Sequence, residues 1–175
     1  TFTREAVEQL SAQQGEPAWM RDMRLRAFEV YQSLPMPTLK DEAWRRTDIR
    51  GLELDAIGPS LNGHGSATSA ADRPDGEQGV SGMLMLVNGE TAYRHLSDAA
   101  AAAGVIFCDM QTAVREHGDL VRRYFMNRLI LPEDGKFAAL HGAFWRGGVF
   151  LFVPAGVTIE HPLHSITRNA AGRTF

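Results

Sequence analysis

The side chains best suited to chemistry in this sequence are two histidines near its end, His161 and His164, with Glu160 beside them. Imidazole and carboxylate groups are common ligands of zinc and other transition metals. Positions three apart do not share one face of a strand, because successive side chains alternate between faces. We therefore predict a corner histidine and a strand-surface histidine rather than a metal site.

The remaining reactive side chains are isolated from one another. Cys108 is the sole cysteine, which excludes an internal disulfide and a cysteine-built metal site. Because its neighbours Val105–Phe107 are apolar and no basic group is adjacent, we predict a buried small hydrophobe. His64 lies between glycines, and His141 precedes Gly142 in what we predict to be a strand corner.

The sequence contains no recognisable catalytic pattern. Glu160 is the only carboxylate after Lys136, whereas a solenoid acyltransferase or carbohydrate-acting enzyme would need a base or a carboxylate pair there. No GxxxxGK[ST] loop is present, so ATP chemistry would belong to a partner. We predict no catalytic, cofactor-binding or metal-binding residue.

Composition limits the class of protein. The chain has 175 residues, 44% hydrophobic and 22% charged, with a formal net charge of −3 and no basic stripe, which argues against nucleic-acid binding. No apolar run approaches the roughly 18 residues that span a membrane, and no signal-peptide pattern opens the sequence. With a single cysteine, these features predict a cytoplasmic protein.

Residues 1–57 are predicted to be helical. Thr3 is a predicted N-cap, and Pro17 suits the first position of a second helix. That helix places Met20, Met23, Ala27, Val30 and Leu34 on one face, with Arg21, Arg24, Arg26 and Glu29 largely elsewhere. Two prolines end it, and a short helix through Trp44 follows.

Residues 58–79 are predicted to be a flexible linker, because they are almost all small or polar. Residues 80–135 are predicted to be a mixed connector. It contains an MLMLV strand, an Asn88-Gly89 hairpin, a helix capped by Ser97, a strand at Val105–Cys108, a helix capped by Asp109 and a helix from Asp119 to Leu131.

Residues 136–175 are predicted to begin a stacked β-structure. Lys136–Leu140 and Val149–Val153 resemble strands buried on both faces, and Val153–Gly156 has the residues of a type I turn. Short strands between tight corners favour a β-solenoid or a small barrel. A solenoid coil takes on the order of 20 residues and about three coils are needed for stability, so we expect a truncated core or one covered by another chain.

Two stretches resemble a known family. GEPAWMRDMRLRAFEVYQSLPMPTLKDEAWRRTDIRGL, followed later by KFAALHGAFWRGGVFLFVPAGVTIEHPLHSI, is similar to the N-terminal part of SufB/SufD scaffold proteins of the SUF iron–sulfur cluster assembly system. The DEAWRRTDIRGL segment resembles SufD more than SufB. The resemblance covers most of the chain except the linker.

The resemblance implies an α+β fold, in which a helical N-terminal region is followed by the start of a right-handed parallel β-helix. It also implies a non-catalytic subunit that pairs with SufB and with the SufC ATPase, in a SufBCD complex that assembles the cluster. The family's cluster ligands and ATPase-docking segment lie beyond Phe175, so no functional residue is transferred and no cofactor is expected in this fragment. An open β-helix end should make the fragment self-associate near Phe175.

The alternative is a cupin-like metal-binding enzyme using His161 and His164. The strand and turn of Phe152–Gly156 followed by two histidines is similar to the pattern of those barrels. A cupin usually has two histidines one residue apart, then a glutamate and a distant third histidine, and this spacing is absent here.

Overall fold

The computed structural model of this chain describes residues 1–59 and 79–168, which divide into two units. The first contains residues 1–59 and 119–145 and is helical. The second contains residues 79–118 and 146–168 and holds both β-sheets. The predicted linker 58–79 lies outside the described residues, apart from Gly58, Pro59 and Gly79, and His64 lies outside them too.

The first unit begins with two helices close to their predicted positions. Helix α1 is Arg4–Gln13, and the Thr3 side chain accepts a hydrogen bond from the Ala6 N–H at 3.2 Å, which confirms the predicted N-cap. Helix α2 is Ala18–Ser33, so it begins one residue later than predicted, and Pro17 is its N-cap rather than its first helical residue. The short helix predicted through Trp44 is only a 3₁₀ turn, Glu42–Trp44, and another such turn is Leu54–Ala56.

The prediction of a strand at Lys136–Leu140 is wrong, because these residues open helix α6, Lys136–Phe144. A short apolar run does not distinguish a buried strand from a buried helix. Ala139, Gly142 and Ala143 are buried, and their spacing of three and four places them on one helical face. A Cβ added at Gly142 would lie 3.0 Å from the Ala27 Cβ, so the missing side chain lets α6 approach α2 closely.

The core of the first unit is formed where α1, α2 and α6 meet. Val7, Ala27, Phe28 and Ala143 are its buried centre, and four larger, partly buried side chains pack around them: Phe2, Leu25, Tyr31 and Phe144. The Phe2 and Phe144 rings meet edge to face, 4.9 Å between centroids, an arrangement that aromatic pairs favour.

Helix α5, Gly118–Tyr124, is shorter than the predicted helix, which ran to Leu131. Met126 has φ 48°, a left-handed backbone conformation that a continuing α-helix does not tolerate. A loop follows, and a 3₁₀ turn, Pro132–Asp134, leads into α6.

The second unit contains a three-stranded mixed sheet in the order β2-β1-β5. Its strands are β1 Gly82–Val87, β2 Glu90–Leu96 and β5 Leu163–Arg168. The central strand β1 is antiparallel to β2 and parallel to β5. Asn88 and Gly89 have φ values of 53° and 85°, which confirms the predicted hairpin and matches a type I′ turn.

The second unit also contains a two-stranded antiparallel sheet. It is made of β3, Ile106–Asp109, and β4, Val149–Phe152. In the sequence, β3 lies between two short helices, α3 at Asp98–Ala102 and α4 at Met110–Glu116. The Ser97 hydroxyl accepts from the Ala100 N–H at 3.3 Å, which confirms the predicted N-cap. Gly104 follows α3 with φ 80°, a conformation common just after a helix.

The predicted turn after β4 is displaced by one residue. The Val157 N–H donates to the Pro154 carbonyl at 3.2 Å, so the turn is Pro154–Val157 rather than Val153–Gly156. Gly156 is its third residue and has φ 78°, the conformation of a type II turn rather than type I.

The described residues therefore form an α+β structure with one mixed and one antiparallel sheet and no closed barrel. The right-handed parallel β-helix stays a prediction. No helix in the described part of the chain combines the length and apolar character that crossing a bilayer demands.

Candidate functional site

The two histidines singled out for chemistry lie at the surface of the second unit. His161 is exposed in the bend before β5, and His164 is exposed on β5, where it is the parallel partner of Met83. Glu160 is exposed as well. Among residues 1–59 and 79–168, no three His, Cys, Asp or Glu side chains are grouped so that they could hold a metal ion. The structure thus gives the cupin alternative no support.

His141 is placed differently from its prediction. It was predicted at a strand corner, but it is an exposed residue of helix α6 in the first unit. The error follows from the helix that replaces the predicted strand.

Cys108 is buried in the second unit, as predicted, with 1% of its surface exposed. It lies on β3 opposite Phe150 of β4. Burial, followed by the charge of Asp109, raises the pKa of its thiol to about 11. The thiol is therefore protonated near neutral pH and is a poor nucleophile and metal ligand in this state.

Asp109 positions the start of α4 beside this thiol. Its carboxylate accepts from the Thr112 N–H at 2.8 Å and from the Thr112 hydroxyl at 2.7 Å, which confirms the predicted N-cap. Burial opposes ionisation, but these hydrogen bonds and one from Thr91 outweigh it, so the pKa of the Asp109 carboxyl is lowered.

The exposed large apolar side chains in the described part of the second unit lie on the outer face of β4 and just after it. Val149 is 40% exposed and Leu151 is 49% exposed, and Val153 just after the strand is 37% exposed. Phe150 and Phe152 alternate with them and are half-buried. The prediction that Val149–Val153 is buried on both faces is therefore wrong for the outer face.

Strand β4 also has an edge without a strand partner in the described residues. Its neighbour is β3, and the pairing joins Ile106 to Phe152 and Asp109 to Val149. An unpaired edge presents backbone N–H and C=O groups that can bind a further strand. An apolar face beside such an edge is suited to stacking and pairing with more β-structure.

Two glycines before β4 let the chain pass close to neighbouring segments of the second unit. A Cβ added at Gly147 would lie 2.6 Å from the Cα of Gly89, at the tip of the β1–β2 hairpin. A Cβ added at Gly148 would lie 2.9 Å from the Met110 Cγ, and the Met110 N–H donates to the Gly148 carbonyl at 3.1 Å. Only a chain without side chains at both positions passes this closely.

The first unit contains a buried ion pair that the sequence reasoning missed. Arg24 is fully buried, although it was predicted to lie largely off the apolar face of α2. Its guanidinium donates to both carboxylate oxygens of Glu16, at 2.6 and 2.8 Å, and to the Gln14 side-chain oxygen at 3.1 Å. It also donates to the Ala143 carbonyl at 3.1 Å and lies 4.3 Å from the Trp145 ring centroid.

A signal for this burial was present in the sequence. Arg24 follows Met20 by four residues and precedes Ala27 by three, so it shares their helical face. Its partner Glu16 belongs to the GEPAWM segment by which the chain resembles its family. The pair joins that segment to the end of α6, so this part of the motif has a structural role.

Comparisons with known proteins define the class of this chain. The family model described as the SufBD protein N-terminal region matches residues 4–164. The chain is 33% identical to the iron–sulfur cluster assembly protein SufB of Bacillus subtilis, over 95% of this chain and 38% of that protein. It is 33% identical to SufD of the same organism, over 93% of this chain and 38% of that protein.

A mycobacterial relative agrees with these two. The iron–sulfur cluster assembly SufBD family protein of Mycobacterium tuberculosis is 31% identical, over 93% of this chain and 20% of that protein. The chain belongs to the SufB/SufD family, as its sequence motifs predicted, and spans 20–38% of the length of these relatives. The identity to SufB and to SufD is the same, 33%, so it does not distinguish between the two members of the family.

Proposed function

We propose that this chain provides the N-terminal region of a SufD-like scaffold subunit in the SUF iron–sulfur cluster assembly complex. The match of the family model to residues 4–164 is the observation that supports this proposal most strongly. The names of the relatives, iron–sulfur cluster assembly proteins SufB and SufD, support the same activity.

The preference for SufD rests on one segment of the first unit. DEAWRRTDIRGL follows the proline-rich end of α2 and resembles SufD more than SufB. Trp44 of this segment packs on Phe137 of α6, with ring centroids 5.3 Å apart, so the segment is attached to the helical core.

The proposed role is that of a non-catalytic cytoplasmic subunit. The full-length protein would continue as a right-handed parallel β-helix, pair with a SufB-like subunit, and bind a SufC-like ATPase that hydrolyses ATP. The iron–sulfur cluster is the cargo of the complex rather than a cofactor held by this chain. The exposed outer face of β4 and its edge support the stacking of further β-structure at this end of the second unit.

Genetic complementation tests the SufD assignment directly. The full-length protein is expressed in two bacterial strains, one without SufD and one without SufB, and the activity of an iron–sulfur enzyme is measured in extracts. We expect recovery in the strain without SufD only. Recovery only in the strain without SufB would contradict the SufD assignment, and recovery in neither would contradict the scaffold proposal.

A further inference from the structure

In the first unit, the end of α5 and the loop after it expose three large apolar side chains. Leu129 is 95% exposed, Ile130 is 58% exposed and Tyr124 is 45% exposed. Single exposed apolar residues are ordinary, but a contiguous group marks an interaction site. Leu129 and Ile130 are adjacent, and Arg128 beside them lies over the Tyr124 ring at 5.8 Å, so these residues share one surface.

Three arginines belong to the same segment of the chain, two in α5 and one in the loop after it. Arg122, Arg123 and Arg128 are exposed, and the Arg123 guanidinium lies 5.2 Å from the Tyr124 ring centroid. Within residues 1–59 and 79–168, no carboxylate forms an ion pair with any of the three. We call this group the α5 surface, and its members are Arg122, Arg123, Tyr124, Arg128, Leu129 and Ile130.

The acidic residues that follow in sequence are already engaged. Glu133 pairs with Arg26 at 3.0 Å, and a carboxylate oxygen of Asp134 accepts from the Leu131 N–H at 2.7 Å. Neither carboxylate is paired with the arginines of the α5 surface, which therefore has an excess of positive charge. The chain as a whole is acidic, with a net charge of −3, so this positive surface is a local feature.

Two residues of the loop after α5 pack against the helical core. Phe125 meets Trp145 edge to face, with ring centroids 5.4 Å apart, and Met126 lies against Gly142 of α6. The Asn127 side chain donates to the Arg122 carbonyl at 2.8 Å. These contacts fix the conformation of the turn that carries the exposed residues, which lowers the entropic cost of binding.

We propose that the α5 surface docks an acidic amphipathic segment of a partner protein. The apolar residues of that segment would cover Leu129, Ile130 and Tyr124, and its carboxylates would pair with the three arginines. A second copy of this chain is a poor occupant, because a symmetric contact would place arginines against arginines. This inference goes beyond the proposed scaffold function and does not depend on it.

The test uses the full-length protein and a synthetic probe. The probe is a fluorescent helical peptide with leucines along one face and glutamates beside them, and binding is measured by fluorescence polarisation. We expect Leu129→Ser with Ile130→Ser, and separately Arg122→Gln with Arg123→Gln and Arg128→Gln, each to weaken binding at least about tenfold. Binding should also weaken as salt rises, because exposed charges are screened.

Matched variants of the first unit control for general loss of apolar area or charge. Leu39→Ser with Leu52→Ser removes exposed leucines elsewhere, and Arg21→Gln with Arg45→Gln and Arg46→Gln removes the same charge. We expect both controls to bind like the unaltered protein. Should a multiple variant fail to fold, as judged by thermal unfolding, Leu129→Asp alone gives the same test at a side chain that is 95% exposed.

Three results would overturn the proposal. One is equal loss of binding in the control variants. Another is no binding of the peptide by the full-length protein, as expected if its own chain covers the surface. The third is binding of vesicles of phosphatidylglycerol through the same residues while the peptide neither binds nor competes, which would assign the surface to an anionic membrane.

Discussion

At the residue scale, Arg24 shows how one charged side chain organises the helical unit. Removing a guanidinium from water is costly, and the cost is offset here by hydrogen bonds from Arg24 to Glu16, Gln14 and the Ala143 carbonyl. The Glu16 side chain is only 3% exposed, so each charge depends on the other. Because both charges must be paired, the ion pair fixes the position of α2 more specifically than apolar packing alone would.

We predict that Arg24→Ala lowers the free energy of unfolding by about 3–5 kcal/mol, because it leaves the Glu16 carboxylate buried and unpaired. Arg24→Lys should also destabilise, since an ammonium cannot bind the carboxylate with a planar fork. Urea unfolding followed by circular dichroism measures both. Arg21→Ala, which removes an exposed pair with Asp22 at 3.5 Å, is the control and should change stability by under about 0.5 kcal/mol.

A double substitution separates the contribution of the ion pair to stability from that of side-chain packing. Arg24→Met with Glu16→Gln removes both charges together and should recover much of the stability that Arg24→Ala loses. An Arg24→Ala protein as stable as the unaltered one would contradict the buried-pair account.

Cys108 gives a second prediction, on pH dependence. Its thiol ionises at about 9.0 when exposed and at about 11 when folded, so ionisation favours the unfolded chain in between. The contribution of the neutral thiol is complete below pH 9 and is lost as the pH rises towards 11. We expect the folded protein to react slowly with iodoacetamide at pH 8, and the urea-unfolded chain to react quickly.

The variant Cys108→Ala provides the control for the stability measurement. Its stability should fall less as the pH rises above 9, because it has no thiol to ionise. Rapid alkylation of the folded protein at pH 8 would contradict the burial of Cys108.

Cys108 and Arg24 differ in how far their burial could be predicted from the sequence. The burial of Cys108 was predictable because all its strand neighbours are apolar. The burial of Arg24 was not predicted, because a hydrophobic pattern counts charges as exposed and does not include their partners. Glu16 lies eight residues earlier and the Ala143 carbonyl 119 residues later, so the pair depends on tertiary structure.

At the element scale, caps and turns were predictable, whereas strand and helix were confused in one apolar run. Thr3, Ser97, Asp109 and Asn88-Gly89 act through hydrogen bonds or backbone angles within a few residues, so local sequence determines them. The run at Lys136–Leu140 became helical because Gly142 and Ala143 allow close approach to α2, a contact with a distant segment. His141, which was predicted at a strand corner just after that run, was misplaced for the same reason.

The outer face of β4 leads to a prediction for the isolated chain. We expect the isolated chain to self-associate through the exposed side chains of β4 and its unpaired edge. The sequence led to the same expectation, there from an open β-helix end near Phe175. Leu151→Lys places a charge at a 49% exposed position and should lower the apparent mass measured by light scattering at high concentration.

Leu52→Lys is the matched control, since Leu52 is 36% exposed and lies in the other unit. It should leave the association unchanged. A monomeric unaltered chain, or an equal effect of both substitutions, would contradict the role given to β4.

At the scale of the whole molecule, family membership was predictable because two long motifs occur in the right order. The sequence identities do not distinguish SufB from SufD, because both relatives are 33% identical to this chain. The chain spans 38% of each, so the partners belong to the proposal for the full-length protein.

The central claim is that this family member works as a SufD-like subunit of a SUF complex. Co-expression of the tagged full-length protein with SufB-like and SufC-like subunits, followed by affinity purification and light scattering on a sizing column, tests it most directly. We predict one complex that contains all three subunits. Elution of the tagged protein alone, with the SufB-like and SufC-like subunits associated without it, would contradict the claim.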